Sequence, residues 1–175
     1  MHATPTFAPL REVFFHMISG TEIATTLADL GVTHAVWLPD STLGTWETAL
    51  DRSPSLKLVR VCREGEAWTI AAGLHLGGQR PVVVIQNTGL FESGDALRNV
   101  LFDLNLPLYA LIGYRSYLLE KSTDSAKRFT EPILKAWGLD YKLILPDGLG
   151  GLAEHYRACQ ADGRAGVALI AEGKG

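Results

Sequence analysis

Pro81-Val82-Val83-Val84-Ile85, followed by Gln86-Asn87-Thr88-Gly89, is the stretch on which the fold turns. Four consecutive β-branched residues behind a proline make a strand that is apolar on both faces. Such a strand is stable where helices cover both sides, as in a parallel sheet. Outward from it, further apolar runs at 35–38, 56–61, 108–112, 141–145 and 167–170 alternate with helix-like segments at 42–50, 64–76, 93–104, 131–137 and 149–161. The alternation predicts an α/β fold, a three-layer sandwich around a central, mostly parallel six-stranded sheet. In such sheets ligands gather at the carboxyl ends of the strands, where loops present backbone donors and free side chains.

The N-terminal stretch 1–18 holds Pro5, Pro9 and the segment Phe14-Phe15-His16-Met17-Ile18, and reads as an arm. Ser19-Gly20-Thr21-Glu22 has the S-x-x-E spacing of a capping box, and Gly31 ends the helix it starts. Residues 19–175 then read as one domain, large enough to bury a core without disulfides.

Composition narrows the function. Sixteen basic and 19 acidic residues give a net charge of -3, with no basic run to neutralise a row of phosphates, which disfavours nucleic acid. No apolar run approaches the ~18 residues of a membrane helix, and no signal peptide is legible. The two cysteines, Cys62 and Cys159, sit in neither a CxxC nor a histidine-spaced zinc pattern, so no metal ligand set is expected and a reducing cytoplasm fits. Cys62 reads as a buried thiol, His34 and Trp37 as strand residues, and His75 as a helix residue.

Four strand-end loops carry polar residues that a bland α/β domain does not need: Pro39-Asp40-Ser41, Arg63-Glu64-Gly65-Glu66-Ala67, Gln86-Asn87-Thr88-Gly89 and Gly113-Tyr114-Arg115-Ser116. Asp40 or Ser41 could equally cap the following helix, and Arg115 could pair with Glu120 or Asp124. Glu64 and Glu66 open a helix of small residues, where either carboxylate could simply complement the helix dipole. Two residues apart on a helix is roughly 200° of rotation, so both cannot face one pocket. Local physics does not choose between them.

The block Arg63-Glu64-Gly65-Glu66-Ala67-Trp68-Thr69-Ile70-Ala71-Ala72-Gly73, with Gly78, Pro81 and Gln86-Asn87-Thr88-Gly89, resembles the pyrimidine-binding domain of thiamine diphosphate enzymes. With Leu38-Pro39-Asp40-Ser41 and Gly113-Tyr114-Arg115-Ser116 it most resembles the sulfopyruvate and phosphonopyruvate decarboxylases. Thr88, Phe91-Glu92-Ser93-Gly94 and the 117–128 segment depart from their pattern. The resemblance implies Glu64 as the carboxylate that hydrogen-bonds N1′ of the cofactor's aminopyrimidine. It implies Glu64, Asn87, Thr88 and Gly89 at the cofactor, and Asp40, Ser41, Gln86, Asn87 and Arg115 at a 2-oxoacid substrate, Arg115 taking a terminal sulfonate or phosphonate.

The Gly-Asp-Gly motif that holds diphosphate and magnesium in these enzymes is missing; Pro146-Asp147-Gly148 is incomplete, and no Asn-Asn follows. The resemblance therefore implies a partner subunit that supplies Mg2+ and the diphosphate site, in a hetero-oligomer. Other readings are a carboligase using the same cofactor, a nucleotide- or NAD-binding domain prompted by Gly148-x-Gly150-x-x-Ala153, and a non-catalytic scaffold.

Overall fold

The computed structural model describes residues 17–38 and 40–173; most of the expected arm, and Pro39, lie outside them. Six strands form one sheet in the order β2-β1-β3-β4-β6-β5: β1 His34–Trp37, β2 Lys57–Arg60, β3 Pro81–Gln86, β4 Tyr109–Tyr114, β5 Tyr141–Ile144 and β6 Gly166–Ala171. Every pairing is parallel, where the sequence suggested mostly parallel. Strands β1, β3, β4 and β6 are buried throughout. The edge strands β2 and β5 are partly exposed, as their lysines and arginine require.

Alternate side chains of the inner strands enter two cores. Ala35, Trp37, Val82, Val84, Leu111 and Ile170 face one, with α1 (Gly20–Asp29), α2 (Glu47–Asp51) and α7 (Leu149–Ala161). Val36, Val83, Ile85, Ala110, Ile112 and Leu169 face the other, with α3 (Glu64–Leu76), α5 (Gly94–Arg98) and α6 (Ser125–Ala136). This is the expected three-layer arrangement. The capping box forms as read, with Ser19 and Glu22 satisfying each other's backbone N–H groups, and Gly31 adopts φ +73° just past α1.

Several boundaries moved. The 42–50 helix is a 3-10 turn, Leu43–Trp46, leading into α2. The turn read over 86–89 is the end of β3 plus the first turn of α4 (Asn87–Glu92), and the 93–104 helix splits into α5 and a π-helical turn, Asn99–Asp103. Helix α6 begins six residues before the expected start. Asp124 caps it by accepting the Ala126 N–H at 2.9 Å, so Pro132 lies inside the helix and not in its first turn.

Strands β1 and β2 succeed one another on one side of the sheet, β3 and β4 on the other, so the order reverses between β1 and β3. A crevice beyond the carboxyl ends of those two strands is the place such a sheet binds ligands. Among the described residues no helix is long and apolar enough to cross a membrane.

Candidate active site at the strand carboxyl ends

Three carboxylates crowd the start of α3, and their hydrogen bonds separate their roles. Glu92 Oε2 accepts the Gly65 N–H at 3.1 Å while Oε1 pairs with Arg63. Glu66 Oε2 accepts the Cys62 N–H at 3.1 Å. The capping of this terminus is therefore done by Glu92 and Glu66. Among the described residues the Glu64 carboxylate makes no hydrogen bond.

Glu64 lies instead against Gly89, in the first turn of α4 beyond β3. A Cβ at position 89 would overlap Glu64 Cγ and stand 2.6 Å from Oε1. Glycine at 89 leaves room for a side chain that starts beyond β2 to lie against the first turn beyond β3. The approach is held from the far side: Trp68 Nε1 donates to Ser93 Oγ at 3.0 Å, and Ser93 Oγ donates to the Gly89 carbonyl at 2.6 Å. Gly89→Ala should lower stability by about 1–3 kcal/mol in urea denaturation, the ordinary cost of overpacking a closed contact. Gly73, in the middle of the same α3, has open space around its Cα. Gly73→Ala should stabilise the chain by about 0.5–1 kcal/mol.

The second half of the site gathers around Arg115. Its guanidinium donates to both oxygens of Asp124, Nε to Oδ2 at 2.8 Å and Nη2 to Oδ1 at 3.1 Å, and Ser116 adds a bond at 3.1 Å. These donors hold the Asp124 carboxyl well down, at about 2, with Arg115 the largest cause. Nη1 keeps no hydrogen bond among the described residues. Of the two partners suggested by sequence, Asp124 is the one Arg115 meets. Asp40 Oδ1 accepts the Thr42 and Leu43 N–H groups at 2.6 and 2.7 Å, while Oδ2 is buried without a partner; burial pushes its pKa up. Ser41 is exposed beside it.

Glu172, just past β6, is not among the site residues expected from the sequence. It is fully buried and lies over Gly113, where a Cβ would overlap its Oε1. Neither of its oxygens has a hydrogen bond of good geometry, although the Thr42 hydroxyl is close enough to temper the charge. Burial first, then the Asp40 charge, pushes its carboxyl up to about 8, against the smaller pull of Thr42 and Arg115.

The remaining expected residues divide. Thr88 Oγ1 donates to Gln86 Oε1 at 3.1 Å, so these two form one unit at the end of β3. Asn87 turns away from the crevice: it is fully buried and donates to Thr130 of α6 at 3.0 Å, leaving its Oδ1 unpartnered. Its side chain locks α4 to α6. Cys62, expected to be buried, is exposed, because β2 is an edge strand. Thr88, Phe91, Arg115, Phe129 and Ile133 line a cleft of about 410 Å³ that opens beside these loops. A larger hollow of about 660 Å³ between α1 and α2 has Arg52 as its one charged lining residue among those described, and so offers no acid–base partner.

Glu64 is partly buried, with its carboxylate against a glycine and without a hydrogen bond among the described residues. Residues 17–116 match the family model "Thiamine pyrophosphate enzyme, N-terminal TPP binding domain". Phosphonopyruvate decarboxylase of Streptomyces viridochromogenes is 29% identical over 148 residues, 83% of this chain and 37% of that protein. Sulfopyruvate decarboxylase subunit alpha of Methanothermobacter thermautotrophicus is 30% identical over 89 residues, 51% of this chain and 54% of that subunit; the subunit of the same name from Methanococcus maripaludis is 28% identical over 95 residues, 54% and 57% respectively. The chain thus spans from about a third to under three-fifths of these relatives. With its parallel sheet, its glutamate over glycine and a match across more than half its length, the chain belongs to the thiamine pyrophosphate enzymes, as their N-terminal, pyrimidine-binding domain.

Proposed function

We propose that this chain is the pyrimidine-binding half of a thiamine diphosphate-dependent decarboxylase acting on a 2-oxoacid. It works in a hetero-oligomer with a partner subunit that holds the diphosphate and Mg2+, in the cytoplasm. The observation that carries the reading is the Glu64 carboxylate, spared from capping and laid over Gly89 in the first turn beyond β3. Relatives named as alpha subunits support the need for a partner. The relatives' names make acids with a terminal sulfonate or phosphonate the first substrates to test.

When bound, the cofactor supplies the acidic carbon that adds to the keto group and the electron sink that lets carbon dioxide leave. Glu64 would accept a hydrogen bond from, or hold a proton at, N1′ of the aminopyrimidine. Asp40, with Oδ2 free, and the Gln86–Thr88 pair would orient the substrate. Arg115, steered by Asp124, keeps Nη1 available for the terminal anion, and because Glu172 is held neutral it adds little opposing charge there.

The test is co-expression with a diphosphate-binding subunit and measurement of carbon dioxide released from sulfopyruvate and phosphonopyruvate. Release from neither would end the substrate assignment. In an active complex, Arg115→Ala should raise KM for either dianion about tenfold or more, with kcat changed less, since one charge-assisted contact contributes about 1.5–3 kcal/mol. An unchanged KM would remove Arg115 from the site.

A further inference from the structure

At the opposite, amino end of the sheet, Asp140, His155 and Cys159 offer one ligand atom each, all within 4.8 Å of one another. His155 and Cys159 are four residues apart on α7, on one face of the helix, and Asp140 immediately precedes β5. The sequence analysis placed both cysteines outside a histidine-spaced zinc pattern and expected no metal ligand set. We propose that these three side chains form a zinc site, distinct from the thiamine site and independent of the proposed function.

The distances suit a small tetrahedral ion. Zinc bonds of about 2.3 Å to sulfur and 2.0–2.1 Å to nitrogen place N and S about 3.6 Å apart. His155 Nε2 and Cys159 Sγ are 3.6 Å apart. Nε2 and Asp140 Oδ2, at 2.9 Å, need only open by a few tenths of an ångström to admit the ion, and Asp140 is half exposed and can move.

The surroundings are built for a ligand histidine. His155 Nδ1 lies 2.8 Å from the Tyr109 hydroxyl, a buried partner able to accept Nδ1–H and so leave the Nε2 lone pair facing the cysteine and aspartate. Gly166 opens β6 under the thiol, where a Cβ would overlap Cys159 Sγ. The site is closed below by Tyr109 and Cys159, which are buried, and open above through Asp140 and Arg164, which gives an ion its way in.

Arg164 now supplies the positive charge. Its Nη1 contacts Asp140 Oδ2 and lies 3.2 Å from Cys159 Sγ, while its Nε donates to Asp162 at 3.0 Å. This guanidinium is the cation an entering ion would have to displace. The exchange balances in charge: one Zn2+ enters, the guanidinium swings out to its existing partner Asp162, and the thiol proton leaves as the Zn–S bond forms. The ion would tie α7 to the amino end of β5.

Co2+ titrated into the full chain under reducing conditions is the probe. A thiolate-to-cobalt charge-transfer band should rise in the near ultraviolet and be erased by stoichiometric Zn2+. Cys159→Ser should abolish the band, and the exposed Asp140→Asn should weaken Co2+ binding about tenfold or more. Cys62→Ser should leave it intact. Arg164→Gln, which removes the competing cation, should tighten binding about tenfold, whereas a purely structural ion-pair network would lose stability and gain no affinity. Absence of the band in both wild type and Arg164→Gln overturns the site. So does a band lost with Cys62→Ser and kept in Cys159→Ser.

Discussion

Glu64→Gln, assayed with the diphosphate-binding partner, should lower kcat by at least 10²-fold, in the ~10²–10⁴ range for loss of a positioned acid–base group. Glu66→Gln should retain most of the activity. The contrast follows from what each carboxylate touches: Glu66 is occupied by the Cys62 N–H, a contact an amide oxygen can still make, whereas Glu64 makes no hydrogen bond among the described residues and rests on Gly89. Folding should be little changed in Glu64→Gln, because no bond is lost. Melting temperatures measured beside the rates separate this from a general defect. Should Glu66→Gln prove the inactive variant and Glu64→Gln the active one, the assignment of the activating carboxylate is reversed.

The largest stability effect should come from Glu172. Its carboxyl ionises near 4.5 when unfolded and at about 8 when folded, so the folded state holds the proton more tightly. The stability it contributes is therefore complete below pH ~4.5 and is lost as pH rises to ~8, at about 1.4 kcal/mol per unit, or roughly 4–5 kcal/mol in all. Glu172→Gln should flatten this fall, leaving the variant more stable than wild type at pH 9 in urea denaturation. Asp40, whose pKa burial also raises, contributes with the same sign as Glu172. Asp124, held at about 2, acts oppositely but below pH ~3.8, outside the window from pH 5 to 9. Parallel wild-type and variant curves across that window would show that Glu172 is not buried as a neutral acid.

Much of the fold was legible because its signals are local. Each of the six strands is an apolar run between turn residues, and α3 and α7 were bounded as found, since small and apolar residues recur at helical spacing between glycines. Reading failed where a local signal was ambiguous. Pro132 imitates a first-turn proline, yet Asp124 had already started α6. Gln86-Asn87-Thr88-Gly89 looks like a turn, yet Asn87 is the buried first residue of α4, tied to Thr130 43 positions on. The His155–Cys159 spacing was present in the sequence but meant nothing without Asp140, which only the pairing of β5 with β6 brings beside α7.

By itself the sequence determined the layers and strand direction, because residues apolar on both faces must be covered on both faces, and helices between successive strands make them parallel. What each carboxylate touches was decided only in three dimensions. Glu64 and Glu66 are chemically identical two positions apart, and what distinguishes them is their neighbours: the Cys62 N–H occupies Glu66, Glu92 takes the Gly65 N–H, and Gly89, 25 residues downstream of Glu64, leaves room for the Glu64 side chain to lie against it. Glu172 likewise acquired its character from Gly113 and Asp40, neighbours that the sheet supplies and the chain order conceals.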